Sequence, residues 1–475
     1  MVETHSLEDW EPLPAERKLA ESVGTGQIVQ IGDGTLPAED LPEDDPRVIR
    51  TGFLRALILG RIKGHTPHEK GVRVGGAYLR GDNPDGEEAD GLDLEGCDLP
   101  GDLLLVFCRI PDPLLLQSAS LRNLFLNDSH LGAGLGGDRL RATGGVFLRG
   151  LVAKGEVRLL SAKLGGNLEC DGARLTAGEA GFALNLQGAR VTGALVLREK
   201  ATVSGVLNLT GAELGQIVDD LACWPGQGNL RLNRCHYGGF VGARTPVDAT
   251  SRIRWLSLQE KSDQLVEFWP QPWEECARVL RGMGHEADAR AILIEKEKRQ
   301  RKARRARRWR NGQRLRPALF RAWDVAMGLT TRYGREPLWA FAWLAGLMVI
   351  GLVVFAGAQH AAALKPNNAF VLRNAEWVEC LPEAERYSDE GSQLACFLEQ
   401  PEGRGYPAFN PLVYSADALL PIFDLGMQEY WVPDENTGFG QGARVYLWVH
   451  VTLGWALSLL AVAGFSGLIR TDNTT

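Results

Sequence analysis

The sequence lacks the short motifs by which several enzyme classes are recognised. It contains no GxSxG elbow, no HExxH pair and no Walker A sequence, and none of its eight cysteines forms a CxxC pair. These absences argue against serine hydrolases, zinc metalloproteases, P-loop enzymes, zinc ribbons and thioredoxin-like redox proteins. We therefore predict a protein that is not an enzyme, with no catalytic residues, no metal ligands and no cofactor.

The beginning of the sequence also lacks the features of a secretory signal. Residues 1–10 read Met-Val-Glu-Thr-His-Ser-Leu-Glu-Asp-Trp, with no basic stretch and no apolar stretch after it. A cleavable signal peptide requires both. We expect this part of the chain to stay in the cytoplasm.

Two long apolar segments are present near the C-terminal end, Leu338–Leu364 and Val445–Ile469. Each exceeds the roughly 20 apolar residues that cross the ~30 Å hydrocarbon layer of a bilayer. In the second segment, Gly454 and Ser458 are four residues apart, a spacing of small residues that permits close helix packing. The sequence predicts a membrane protein with two spans that associates into a homo-oligomer.

The charges that flank these segments predict their orientation. Lys298–Arg316 contains eleven Lys and Arg residues and no acidic residue, whereas Lys365–Gly442 contains thirteen Asp and Glu against four Lys and Arg. Basic flanks remain on the cytoplasmic side. We predict an inner-membrane protein with both termini in the cytoplasm and the acidic loop outside.

The basic run has two candidate partners, nucleic acid and lipid headgroups. It lies immediately before the first span, where anionic lipid headgroups are the nearest polyanion. We therefore predict that Arg304, Arg305, Arg307 and Arg308 bind lipid headgroups and that the protein binds no nucleic acid.

Before residue 250 the sequence repeats with a period near eleven. Apolar or small residues fall at plus 2, 4, 7 and 9 from each unit start, as in Leu103, Leu105, Cys108 and Ile110 for the unit that starts at 101. Pairs of positions two apart indicate short strands separated by turns, and a short fixed period indicates a solenoid. Two units, ~22 residues, would form one coil, with coils stacked at ~4.8 Å. The small plus-7 residue predicts a tight corner, and glycines near unit starts predict turns with positive φ.

The fold that follows is a mainly β solenoid, a right-handed pentapeptide-like β-helix, followed by a helical stalk and two transmembrane α-helices. An insertion at Gly215–Gln227 is expected to form a loop on the solenoid. We predict six regions: an N-terminal helical cap (1–69), the β-solenoid (70–250), a helical hairpin and basic stalk (251–316), an interfacial helix and the first span (317–364), an extracytoplasmic loop (365–443), and the second span with a short tail (444–475).

The predicted outside loop contains the segment that bears most directly on function. Phe409–Gly426 is apolar but too short to span, so it forms either a re-entrant segment or an interfacial helix. A span, a re-entrant segment and a second span is the plan of simple tetrameric channels, although no Thr-Val-Gly-Tyr-Gly filter is present. On the re-entrant alternative, Asp417 and Asp424 are candidate carboxylates in a pore or at its outer mouth.

Cysteine and glycine patterns carry the remaining signals. Cys380 and Cys396 lie in the outside loop, where they form either a disulfide or two free thiols. The sequence Gly132-Ala-Gly-Leu-Gly-Gly137 matches GxGxxG, but more solenoid follows it instead of a helix. We therefore interpret it as a solenoid corner, not a dinucleotide site.

Several stretches of the chain resemble a family of bacterial two-span membrane proteins with a pentapeptide-like β-helix domain. The resemblance implies this fold and membrane placement, and the label "membrane-associated oxidoreductase" carried by some members implies redox activity as an alternative. The matching stretches are Gly71–Tyr78, Leu92–Cys97, Arg278–Glu295, Tyr414–Pro421, Gly454–Ser458 and Ala463–Arg470.

Three hypotheses about function follow. In the first, a cytoplasmic solenoid binds an unknown protein or small molecule and is coupled to an oligomeric two-span unit that conducts ions. In the second, the protein is a membrane-tethered scaffold whose spans are anchors. In the third, it is a membrane-associated oxidoreductase.

Overall fold

The computed structural model describes residues 5–82, 91–259, 268–310, 325, 330, 338–368, 371–381, 393–401 and 403–465. The chain forms two compact units, Met1–Arg310 and Asn311–Thr475. The predicted interfacial helix at 318–330 falls almost entirely outside the described residues.

The first unit is built around a parallel β-solenoid, as the repeat predicts. Each coil has four short strands, so the solenoid has four faces, which we call A to D in chain order. Leu103, Leu124, Val146 and Leu168 stack in register at steps of 21 or 22 residues. The predicted coil of two eleven-residue units is confirmed.

The strands of the four faces are as follows. Face A contains β1 (Val29–Gln30), β3 (Gly71–Gly75), β6 (Asp102–Val106), β10 (Leu124–Phe125), β14 (Val146–Phe147) and β18 (Leu168–Glu169). Face B contains β2 (Val48–Arg50), β4 (Tyr78–Arg80), β7 (Arg109–Ile110), β11 (His130–Leu131), β15 (Val152–Ala153), β19 (Arg174–Thr176) and β22 (Thr202–Ser204). Face C contains β5 (Leu92–Asp93), β8 (Leu114–Leu115), β12 (Leu135–Gly136), β16 (Val157–Arg158), β20 (Phe182–Asn185), β23 (Val206–Asn208) and β25 (Leu230–Arg231). Face D contains β9 (Ser120–Leu121), β13 (Arg141–Ala142), β17 (Lys163–Leu164) and β26 (His236–Tyr237), while β21 (Arg190–Leu197) and β24 (Glu213–Asp219) turn the corner from face D to face A.

The inward positions of the repeat form the solenoid core. Leu103, Leu105, Cys108 and Ile110 are fully buried, because alternate residues of a strand point to the same side. The other repeat units place their apolar residues in the same way, and the whole set forms one continuous core with both ends of the unit.

The tight corner lies one residue earlier than the small residue that marks it. The plus-6 residue has positive φ in successive units, for example Phe107 (52°), Ser118 (57°) and Arg139 (59°). The small plus-7 residue follows it, and Ala119 donates its backbone N–H to the carbonyl of Leu116 at 3.1 Å. Glycines near some unit starts also have positive φ, but the recurrent left-handed residue is often not glycine.

The insertion at Gly215–Gln227 is not simply a loop. Strand β24 continues through it as far as Asp219 and pairs with β21 over that length. The long β21 supplies an edge on which the inserted residues form ladder hydrogen bonds. Farther on, Cys223 is buried, so much of the insertion belongs to the fold.

The N-terminal region closes the first end of the solenoid with helices and strands. Helix α1 (Pro14–Ser22) and helix α2 (Thr51–Ile58) accompany β1 and β2, which pair with β3 and β4. Glu16 is fully buried and accepts hydrogen bonds from Arg50 Nε at 2.9 Å and Nη2 at 2.6 Å. The predicted helical cap therefore also contributes the first strands of two faces.

The other end of the solenoid is closed by the predicted helical hairpin. Gly284 separates the two hairpin helices and has φ 89°, and Ile292 and Leu293 on the second helix are buried in the main core. Only the first part of that helix packs in this way, and the basic run continues from it. The helices are α3 (Ala249–Ser257), α4 (Gln271–Gly282) and α5 (Glu286–Arg310).

A buried ion pair joins this cap to the last coil. Both terminal nitrogens of Arg252 donate to the Asp219 carboxylate at 2.8 Å. The guanidinium lies 3.6 Å from the ring centroid of Phe240, and Trp224 Nε1 donates to Asp219 at 2.8 Å. A fully buried arginine is tolerated here because its charge and hydrogen bonds are satisfied.

The second unit contains both predicted spans. Two helices in it are long and apolar enough to cross a membrane, by length and composition. The later one begins at Gly438, earlier than the predicted start at Val445. The helices are α6 (Leu338–His360), α7 (Ala375–Val378), α8 (Gln393–Glu399), α9 (Pro411–Leu419), α10 (Met427–Tyr430) and α11 (Gly438–Phe465), and the antiparallel strands β27 (Leu364–Pro366) and β28 (Trp431–Pro433) pair between them. Across both units, short 3₁₀ helices occur at Glu8–Trp10, Val23–Thr25, Leu221–Cys223, Val371–Arg373 and Gly403–Gly405.

Candidate functional site

Helix α9 packs beside the central part of both apolar helices. Ser415 Oγ donates to the backbone carbonyl of Met348 at 3.2 Å, near the middle of α6. Farther along α9, Leu419 packs with Leu344 and Leu457. An interfacial helix would contact only the ends of the two long helices. The contacts therefore favour the re-entrant alternative over the interfacial one.

A polar cluster lies inside this three-helix arrangement. His450 of α11 is fully buried. Its Nε2 lies 3.2 Å from the Ser415 carbonyl oxygen and 3.3 Å from Ser415 Oγ, and its Nδ1 lies 3.0 Å from the hydroxyl of Tyr446. A neutral imidazole whose Nε2–H donates to Ser415 and whose Nδ1 accepts from Tyr446 satisfies both ring nitrogens. The cluster thus ties α9 to α11.

Sequence reasoning did not assign a role to His450. The available signal was its position in an apolar segment, since polar and ionisable residues there usually face the protein interior and carry function. Its partner Ser415 gave no comparable signal, because a serine in a short helix is common.

Two glycines allow α9 to approach the long helices. A Cβ on Gly454 would overlap the carbonyl oxygen of Leu419, and a Cβ on Gly351 would overlap Ser415 Oγ. The predicted close packing at Gly454 is therefore present, but within one chain its partner is α9. Self-association through this position stays a prediction.

Asp417 holds the chain that follows α9. Its carboxylate accepts the backbone N–H of Leu425 at 2.7 Å and of Gln428 at 2.9 Å, and the residue is 7% exposed. Both oxygens are therefore used within the chain. The geometry assigns Asp417 to positioning the turn, which differs from the predicted display of a carboxylate in a pore or at its mouth.

The segment Leu420–Gly426, which we call the return segment, leads back from the end of α9. Its side chains are largely exposed in the single chain, with 77% for Ile422 and 60% for Phe423. Asp424 is also exposed, and one of its oxygens accepts the backbone N–H of Gly426 at 3.0 Å. Its other oxygen has no partner among the residues that the structure describes. Of the two predicted carboxylates, Asp424 is the one available to solvent or an ion.

A disulfide and a short antiparallel strand pair hold other parts of the predicted outside loop. Cys380 and Cys396 form a disulfide with their Cα atoms 5.7 Å apart, the first of the two alternatives for this pair. Strands β27 and β28 join the end of α6 to the region before α11, and Trp431 Nε1 donates to the carbonyl of Pro407 at 2.9 Å.

The other predicted residues lie on the solenoid unit. Arg304 and Arg307 are exposed on α5, Arg305 is half-buried, and Arg308 is helical; their binding to lipid headgroups stays a prediction. The GxGxxG sequence lies between β11 and β13 with no helix after it. Over the described parts of the chain, no group of three His, Cys, Asp or Glu residues is placed to hold a metal ion.

Comparisons with protein-family models, with curated proteins and with solved structures find no match to this chain. The resemblance to two-span β-helix proteins, and the redox activity that it implies, therefore stay predictions.

Proposed function

We propose that the protein is an oligomeric inner-membrane protein in which a cytoplasmic β-solenoid binds or senses a partner and controls a two-span unit that conducts cations. The observation that carries the proposal is the depth of α9. This helix reaches the central turns of α6 and α11, and the chain then returns as an exposed segment that contains Asp424.

The arrangement of α9 and the return segment supports conduction. The C-terminal end of a helix carries a partial negative charge, which favours a cation nearby. The end of α9 lies between the long helices, and the free oxygen of Asp424 follows it within five residues. A carboxylate at this depth is costly unless it faces water or an ion, so a pathway between copies is the environment that suits it.

The role of Asp417 supports the same interpretation. By accepting the N–H groups of Leu425 and Gln428, it holds the residues directly after Asp424 against the last turns of α9. A return segment that must present one carboxylate at a defined place needs such a fixed geometry.

The direct test is cation flux from liposomes that contain the full-length protein. We expect wild-type protein to release cations and Asp424→Asn to reduce the flux several-fold, because the substitution removes one charge without changing size. Glu429→Gln is the matched control, since Glu429 is an exposed acid just after the return segment. Equal flux in wild type and Asp424→Asn would remove Asp424 from the pathway.

A second measurement does not depend on the channel being open. If return segments of several copies surround one pathway, Asp424→Cys should form disulfide-linked dimers of the chain in the membrane under mild oxidation. Glu376→Cys, at a partly exposed position on α7, is the control. A chain that stays monomeric in mild detergent and in the membrane contradicts the oligomeric unit and favours a membrane-tethered scaffold.

A further inference from the structure

Face D of the solenoid carries a ladder of basic residues. The strand register places Ser120, Arg141, Lys163 and Arg190 directly above one another in successive coils, followed by Glu213. The three basic residues are therefore consecutive in the stack. We call Arg141, Lys163 and Arg190 the face D ladder.

This stacking is unfavourable in the free protein. Neighbouring coils lie ~4.8 Å apart, and like charges directly opposite on adjacent strands destabilise the pairing. Arg190 is paired with Glu213. Arg141 and Lys163 are exposed, and neither makes an ion pair with any residue that the structure describes. Their position is explained if an anionic partner covers them.

The opposite face of the same solenoid shows how an acidic segment binds such a surface. Residues 33–45, which we call the acidic segment, contain six Asp or Glu and no basic residue. Glu39 pairs with Lys154 at 2.6 Å, and Glu43 pairs with Arg80 at 3.4 Å. On β7, which lies between β4 and β15 in face B, Arg109 Nε donates to the carbonyl of Pro37 at 2.9 Å. The basic residues of face B are thus partly covered by an acidic stretch of the chain itself.

Face B is partly covered by the acidic segment, whereas face D is not. The outward row of face B contains Arg109, His130 and Arg174. The pKa of His130 is lowered, first by burial and then by Arg109, Arg174 and Lys154, which is consistent with a dense positive field. Face D carries a comparable row, but no segment among the described residues lies on Arg141 or Lys163.

We propose that face D binds an extended acidic peptide segment of a partner protein, whose carboxylates pair with the face D ladder. The inference names the partner chemistry for the binding role proposed for the solenoid, and it rests on that role but not on conduction. The covered face B supplies the pattern: carboxylate side chains on stacked cations and backbone carbonyls as additional acceptors.

Nucleic acid is the other polyanion with this charge, but face D does not suit it. Single-stranded nucleic acids bind surfaces that combine basic residues with aromatic platforms for the bases. The second outward row of face D, two residues farther along each strand, contains Arg122, Thr143, Gly165 and Thr192, with no aromatic ring. An acidic peptide needs only the charges and the hydrogen-bond donors.

The test measures binding of a fluorescent peptide with the sequence of residues 33–45 to full-length protein in uncharged detergent. We expect Arg141→Gln/Lys163→Gln to weaken binding about tenfold, because two ion pairs are lost. The control is Arg244→Gln/Arg254→Gln, which removes the same charge from two exposed positions outside the ladder and should change the Kd less than twofold. Both variants keep the basic run of α5, so peptide bound there does not distinguish them.

Three results would overturn the proposal. Equal weakening by the two double variants would show general electrostatic attraction. Unchanged binding of a peptide whose acids are replaced by Asn and Gln would exclude carboxylate recognition. A single-stranded oligonucleotide that binds wild type more tightly than the peptide, and loses this binding in the ladder variant, would identify nucleic acid as the partner. Flux from the same preparations separates a failure of this proposal from a failure of conduction.

Discussion

The backbone carbonyl oxygen of Leu419 lies so close to Gly454 that no side chain fits between them. Gly454→Ala should therefore push α9 away from α11 and destabilise the second unit by about 1–3 kcal/mol, the usual cost of overpacking. The measurement is the thermal midpoint of the full-length protein in detergent.

Gly346→Ala is the matched control for this substitution. Gly346 also lies inside an apolar helix, but a Cβ at that position meets no atom within 4 Å. We expect it to be neutral or slightly stabilising, because alanine is the better helix former. If both substitutions lower the midpoint equally, the contact between α9 and α11 is not the cause.

Breaking the buried ion pair at the end of the solenoid should have a large effect. Asp219→Asn leaves the fully buried Arg252 without its counter-charge, a loss of about 3–5 kcal/mol. Asp138→Asn removes an exposed ion pair with Arg158 and should cost less than about 1 kcal/mol. Denaturant unfolding followed by tryptophan fluorescence compares the two. Similar losses would mean that burial does not set the importance of these pairs.

The solenoid should lose stability below about pH 6.5 through His130. Burial, together with Arg109, Arg174 and Lys154, lowers the pKa of His130, while Glu39 raises it. Between the lowered pKa and the ordinary value near 6.5, the unfolded chain binds more protons than the folded chain. Stability contributed by this group is therefore complete above pH 6.5 and falls as the pH drops through that window. His130→Gln should flatten the curve of unfolding free energy against pH, and an unchanged slope would contradict this assignment.

The disulfide should restrict the loop before α9. A link that closes a loop of 16 residues stabilises by about 3 kcal/mol in the chain-entropy model. Cys380→Ser/Cys396→Ser should therefore increase proteolysis of this loop, whereas Cys97→Ser, at a half-buried free cysteine, should not. Peptide mass spectrometry without reductant checks the link in protein from native membranes. Finding both thiols free there would place the loop in a reducing compartment and contradict the predicted orientation.

The solenoid could be predicted because every coil repeats the same physical requirement. Each inward position must be apolar or small, so Leu103 and Leu124 occupy equivalent inward positions in successive coils. Strands β1 and β2 contain only two or three residues and lie outside the eleven-residue repeat. They form because they pair with β3 and β4, and that pairing cannot be recognised from the sequence. The left-handed plus-6 position was also missed, because residues as different as Phe107 and Arg139 occupy it.

In the second unit, too, some features could be predicted from the sequence and others could not. Its two long helices follow from length and apolar composition alone. The contact between Ser415 and His450 could not be predicted from length and composition, because it depends on how deeply α9 enters between two helices that are distant in sequence. Asp417 was selected for its charge, but its actual partners are backbone N–H groups, which have no sequence signature.

Because the solenoid is a stack of similar coils, its length can change by the addition or loss of a coil. Because each coil contacts only its neighbours, an in-frame duplication of 22 residues, such as 124–145, would add one layer of ~4.8 Å and leave both caps unchanged. Gene duplication can therefore alter how far the four faces extend without changing the two long apolar helices of the second unit. Related proteins should then differ from one another by whole coils, so that the length of the solenoid changes in discrete steps.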